Sequence, residues 1–138
     1  MLVFKDAITR KTIVKVTDFG YSTLTVGGSG MVLLPKSSPW NAPEHHFGEF
    51  EAYAAKKTDV YSFGVLCLWV MFGPTLLERL KDGDRAECIA NQHVESMPSL
   101  DVEYRICLRE IFSLTLPHNP GKRTCDLARV IGLLGQKR

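Results

Sequence analysis

The sequence predicts an α+β chain that is mainly helical: an N-terminal β-hairpin, a long loop, then a helical bundle. Three observations predict it. Two β-prone runs, Leu2–Phe4 and Ile13–Val16, flank the polar, turn-like stretch Lys5–Thr12. Tyr21 to Ser38 shows no period and holds Gly27, Gly28, Gly30, Pro35 and several hydroxyl residues, the composition of a loop. From Thr58 onwards, apolar residues recur at helical spacing, interrupted by Gly and Pro.

The elements follow in order. The two β-prone runs form a hairpin, and Asp18-Phe19-Gly20 leaves its second strand directly. A lone hairpin is marginal in water and needs something to pack on. Pro39 to Phe47 is a knot of Pro, Trp and His with a short helical turn. Thr58 is a capping residue type, so a helix is expected from there through Phe63, Cys67 and Val70, ending near Gly73. It is apolar nearly all round, which predicts burial on all sides. A further helix begins over Leu76–Leu80 and is interrupted near Gly83. Leu100–Leu116 has a helical period at Tyr104, Cys107, Leu108, Ile111 and Phe112. After the break Pro117–Gly121, Cys125–Leu134 forms a last helix with Leu127, Val130, Ile131 and Leu134 on one face. There is no internal repeat and no second domain; residues 1–138 read as one unit.

Composition excludes several functions. Hydrophobic residues make up 45% and charged residues 23%, ordinary for a globular chain, and the formal net charge of +2 argues against a nucleic-acid partner. The four cysteines, Cys67, Cys88, Cys107 and Cys125, form no C-x-x-C pair, so zinc is not expected. A disulfide framework is possible on paper; buried free thiols in a reducing, cytoplasmic setting are the preferred expectation. No secretory signal opens the chain. Val60–Leu77 is apolar enough to be weighed as a membrane span, but Ser62, Gly64 and the Gly73-Pro74 break fit a buried core helix, and no membrane association is expected. His45-His46 is expected at the surface, since neighbours on a helix cannot both face one ion. The glycines at 27, 28 and 30 fit no phosphate-cradling spacing.

The chemistry-bearing motifs gain weight from their order. A strand, Thr17-Asp18-Phe19-Gly20, a glycine-bearing loop, Pro39-Trp40-Asn41-Ala42-Pro43-Glu44, and Thr58-Asp59-Val60-Tyr61-Ser62-Phe63-Gly64 on an apolar helix follow one another. In that order and spacing the chain resembles the large lobe of eukaryotic protein kinases, whose D-F-G and A-P-E motifs bracket the activation segment. The resemblance spans 1–138, from just after the catalytic loop to the last helix, and leans towards tyrosine-kinase-like enzymes. It implies ATP-dependent phosphorylation of protein hydroxyls by the parent domain, with ATP and Mg²⁺ as cofactors. Asp18 would hold Mg²⁺ against the phosphates. Phe19 would pack inwards and, with Gly20 as the flexible point, set the direction of Asp18. Leu2 would lie beneath the adenine and Thr17 behind that pocket. Ser37 would touch the catalytic aspartate of a serine/threonine kinase; Ser22, Thr23, Thr25, Ser29 and Ser38 read as solvated loop hydroxyls. Glu44 and Arg123 would form a buried ion pair, whose breakage typically costs about 3–5 kcal/mol. Asp59 would face the catalytic loop.

No glycine-rich loop, strand lysine with its helix glutamate, or H-R-D-x-x-x-x-N catalytic loop occurs in the sequence. The chain alone is therefore expected to bind Mg-ATP weakly at most and to transfer nothing. If four large side chains among Val60, Phe63, Leu66, Cys67, Val70 and Met71 lose cover, the loss is on the order of 6–12 kcal/mol, at roughly 1.5–3 kcal/mol each. Against a domain stability of about 5–15 kcal/mol, that predicts a marginal or partner-dependent chain. The alternative expectation is a non-catalytic, pseudokinase-type module that binds a protein partner through its helices.

Overall fold

The computed structural model describes residues 2–17, 19, 30–80 and 86–135. Strands β1 (Leu2–Lys5) and β2 (Thr12–Lys15) pair antiparallel, with Val3 opposite Val14 and Phe4 opposite Ile13. Asp6 builds their turn: one carboxylate oxygen accepts from the Ile8 amide at 3.0 Å, the Thr9 amide at 2.6 Å and the Thr9 hydroxyl at 2.9 Å. These bonds, the Thr9 amide foremost, hold the Asp6 carboxyl below its ordinary value. The strands pack chiefly on each other, and Val3, Phe4, Val14 and Val16 remain exposed.

A second small antiparallel pair, β3 (Met31–Val32) with β4 (Phe50–Glu51), frames the 3-10 turn Pro43–Phe47 and leads directly into α1 (Ala52–Phe72). Helix α1 starts a turn and a half before Thr58. Glu51 occupies its N-cap position without a side-chain cap, and the Ala52 amide is satisfied by the Gly30 carbonyl at 3.0 Å. Thr58 lies inside the helix, where its hydroxyl donates back to the Ala55 carbonyl at 2.7 Å. The helix ends at Gly73, whose φ of 82° favours a residue without Cβ.

The rest is α2 (Pro74–Glu78), α3 (Ala86–Ser96), α4 (Val102–Thr115) and α5 (Leu127–Leu134). Asp101 caps α4 by accepting from the amides of Glu103 and Tyr104, and Asp126 caps α5 by accepting from the Arg129 amide. Helix α1 packs on α2 and α4, and α4 on α3 and α5. The core lies between them: Tyr61, Val65 and Leu68 from α1, Ala90 and Val94 from α3, Leu108, Ile111 and Phe112 from α4, and Val130 from α5. Close approach of α1 to the end of α4 depends on Gly64. A Cβ there would stand 2.8 Å from both Thr115 Cβ and Leu116 Cδ2.

Several expectations need correction. Helix α1 is not buried on all sides: Val60 and Cys67 are buried, Phe63, Leu66 and Met71 half-buried, and Val70 is 64% exposed. Even so, Phe63 and Met71 pack against the core, and the Tyr104 hydroxyl of α4 donates to Met71 Sδ at 3.5 Å. The buried face of α5 runs through Val130, with Leu127 and Leu133 packed beside it, while Ile131 and Leu134 are exposed. All four cysteines are free, but only Cys67 and Cys107 are buried. No helix among the described residues is long and apolar enough to cross a membrane.

Candidate functional site

Arg123 and Glu44 meet, 79 residues apart in sequence, in a forked ion pair. Nη1 donates to Oε1 at 2.5 Å and Nη2 to Oε2 at 2.8 Å. Arg123 is buried and its three remaining N–H groups are also used: Nε donates to the Pro117 carbonyl at 2.8 Å, Nη1 to that of Lys57 at 3.0 Å, and Nη2 to that of His118 at 2.9 Å. A guanidinium has five donors in a fixed fork, and here each has an acceptor. The guanidinium carbon also lies 4.8 Å from the Tyr61 ring centroid, a cation–π contact favoured by desolvation. Lys57, itself buried, returns the contact by donating Nζ to the Arg123 carbonyl. The pieces come from three places: the Ala42-Pro43-Glu44 turn, with Pro at its first position, the first half of α1, and the loop between α4 and α5.

Above this knot lies a cleft of about 180 Å³ lined by Leu34, Pro35, Ser37, Trp40, Asn41, His45, Thr58, Asp59 and Ser62. Its loop wall is locally organised. The Asn41 side-chain oxygen accepts from the Ser37 amide at 2.5 Å, and the Trp40 amide returns to the Ser37 carbonyl at 2.8 Å. The Ser62 hydroxyl ties this wall to α1 through the Trp40 carbonyl at 2.8 Å, and the Trp40 and Trp69 rings meet edge to face at 6.3 Å. Asp59 stands at the rim. Partial desolvation pushes its carboxyl above the ordinary value, opposed by the charge of nearby His45. Among the described residues nothing hydrogen-bonds to the Asp59 carboxylate. The cleft lining thus carries an acid, an amide and three hydroxyl residues, of which Thr58 and Ser62 already donate to backbone carbonyls.

Of the sequence-predicted residues, Ser37 and Asp59 share the cleft, and Glu44 and Arg123 share the knot beneath it. Thr17 is exposed and lines neither. Phe19 is 68% exposed among the described residues, and its neighbours Asp18 and Gly20 lie outside them. Asp18, Gly20 and the hydroxyls Ser22, Thr23, Thr25 and Ser29, together with the Leu2 side chain, lie outside the described residues. The fit of ATP and Mg²⁺ thus finds no acid set among the described residues, where no cluster of three potential metal ligands occurs.

Three contributors were not singled out from sequence. His45 is buried, not at the surface, with Nδ1 3.1 Å from the Ala42 carbonyl oxygen. No motif marks Lys57, and Tyr61 stands only within the Asp59–Gly64 run. The family resemblance points to Arg123 but not to its carbonyl acceptors. A wider, open hollow of about 590 Å³ between α3 and α4 is lined by Cys88, Asn91, Gln92, Glu95, Ser96 and Arg109 and contains none of the predicted residues.

No protein-family model and no solved structure matches the chain. It is similar to the dual specificity protein kinase shkD of Dictyostelium discoideum, with 32% identity over 112 residues, which is 80% of this chain and 14% of that protein. It is also similar to guanylyl cyclase C of Cavia porcellus, 34% identical over 79 residues, and of Homo sapiens, 33% identical over 79 residues. Each of those two matches covers 57% of this chain and 6% of the relative. The chain therefore spans at most 14% of the length of these relatives.

Proposed function

We propose that this chain is part of a kinase-like large lobe, running from just after the catalytic loop to the last helix. Its parent activity would be transfer of the γ-phosphoryl group of ATP to a protein hydroxyl. The observation that carries this reading is the Glu44–Arg123 fork, which joins the Ala-Pro-Glu turn to the loop before α5. The similarity to a dual specificity protein kinase over 80% of the chain supports it. In this reading Asp18 holds Mg²⁺, Leu2 and Thr17 contact the nucleotide, Phe19 and Gly20 set the direction of Asp18, and Ser37 and Asp59 face the catalytic loop and substrate. The chain alone is inactive, because no His-Arg-Asp catalytic loop positions a substrate hydroxyl.

The test is paramagnetic broadening of backbone amides by Mn-ATP, which detects weak binding. The expected result is broadening centred on Thr17 and Phe19, removed by Asp18→Ala, with no phosphoryl transfer. Broadening that ignores Asp18→Ala, or none at all, would remove the nucleotide role. A second reading, a non-catalytic module binding a protein partner, is favoured by the exposed Trp69 and Val70 on α1. It predicts partner binding that survives Asp18→Ala and is lost in Val70→Asp.

A further inference from the structure

We propose that the outer edge of β2 is a docking strip for an extended partner segment in which acidic and apolar residues alternate. This does not rest on the kinase reading. Among the described residues the hairpin is a sheet of two strands, so β2 has one edge free. The Asp6 amide donates to the Lys11 carbonyl at 2.9 Å, which sets the alternation of the ladder. With Phe4 and Ile13 bonded inwards to each other, the backbone N–H and C=O groups of Thr12 and Val14 point outwards. No described backbone group pairs with them there. Side chains alternate along the same edge. Thr12, Val14 and Val16 lie on one face, both valines exposed. Lys11, Ile13 and Lys15 lie on the other, where the Lys15 ammonium stands 5.4 Å from the Phe4 ring centroid and both lysines are exposed.

Charge decides what the edge accepts. Lys5, Arg10, Lys11 and Lys15 are all exposed, and among the described residues none of them is in an ion pair. Asp6 is the hairpin's only acid, and its carboxylate is committed to the Ile8 and Thr9 amides of its own turn. A second copy of the chain would set lysine against lysine along this edge, and edge lysines discourage such self-pairing. An acidic strand meets no such repulsion. Its carboxylates would stand beside Lys11 and Lys15, its apolar residues beside Val14 and Val16, and its backbone would bond to Thr12 and Val14. An anionic bilayer fits less well. A flat surface covers one face of a hairpin, and here each face mixes cations with apolar groups: Lys5 with Val3 and Val14, Lys15 with Phe4 and Ile13. A strand added at the edge reaches both faces at once.

The test titrates the full chain into a dye-labelled peptide of alternating Glu and Val and follows fluorescence anisotropy at physiological salt. Saturable binding is expected. Two control peptides are expected not to bind: one of alternating Lys and Val, and the Glu-Val sequence N-methylated throughout, which keeps the charge but has no backbone donors. Lys15→Glu is expected to weaken binding about tenfold. Lys36→Glu, an exposed reversal of the same size outside the hairpin, should leave it nearly unchanged. The peptide controls need no variant, so they decide the matter even if Lys15→Glu fails to fold. Equal binding of the N-methylated peptide, equal weakening by the two variants, or no saturable binding would overturn the proposal. So would binding to phosphatidylserine vesicles in preference to the peptide, which would assign the hairpin to an anionic surface.

Discussion

The two ends of the chain solve the same problem differently. Around Arg123, three distant segments place five acceptors about one guanidinium, and the neighbouring core holds Phe112, Leu108 and Val65 essentially out of water. In the β1–β2 hairpin, backbone pairing and the Asp6 turn are complete, yet the apolar side chains stay exposed, Ile8 at 92%. One region is specified by packing and satisfied charge, the other by local hydrogen bonds alone. The lesson is that shape near the hairpin is cheap to alter, whereas the knot under the cleft is not.

The contrast can be broken most strongly at Arg123. Arg123→Ala leaves a nearly buried carboxylate and three carbonyls without their donor, and is expected to cost about 3–5 kcal/mol in urea unfolding. Arg123→Lys keeps the charge but offers three donors without the fork, so it should recover little of that loss. A cost below about 1 kcal/mol for Arg123→Ala would place the pair with ordinary surface ion pairs and erase the contrast. Next comes Gly64→Ala. Alanine gains up to about 1 kcal/mol in helix propensity, but overpacking against Thr115 and Leu116 costs about 1–3 kcal/mol. Net destabilisation is expected in thermal melts, and a raised melting temperature would show that α1 and α4 can separate freely. The smallest effect belongs to the hairpin. Ile8→Ser and Val14→Thr should each stay within about 0.5 kcal/mol of the parent, as surface changes do. A larger loss would reveal a packing partner for β1 and β2 in solution.

Much of this was readable in the residues, for identifiable reasons. The hairpin follows from two β-prone runs around a turn, and α4 from its apolar period, whereas its cap Asp101 is seen only in the structure. The start of α1 was misplaced because Thr58 is a capping type of residue whose hydroxyl instead bonds back within the helix, while the true start carries no side-chain cap. Helix α3 was hard to single out because its buried residues are small: Ala86, Ala90 and Val94. The face of α5 differs because Val130, with Leu127 and Leu133 beside it, packs towards the core, and the Leu133 carbonyl accepts from Cys107 of α4. Glu44 and Arg123 were legible through their motifs. The carbonyls of Lys57, Pro117 and His118 were not, since every residue has one and only the fold brings these three together.

The saturation of Arg123 limits how this chain could answer a covalent signal. A phosphate added to a hydroxyl between Tyr21 and Ser38 needs a basic receiver with donors to offer. The guanidinium of Arg123 has none left, so it cannot act as that receiver without first abandoning Glu44 and the backbone. Whatever reads such a mark must therefore be another group, and the Glu44–Arg123 pair need not open to let it be written.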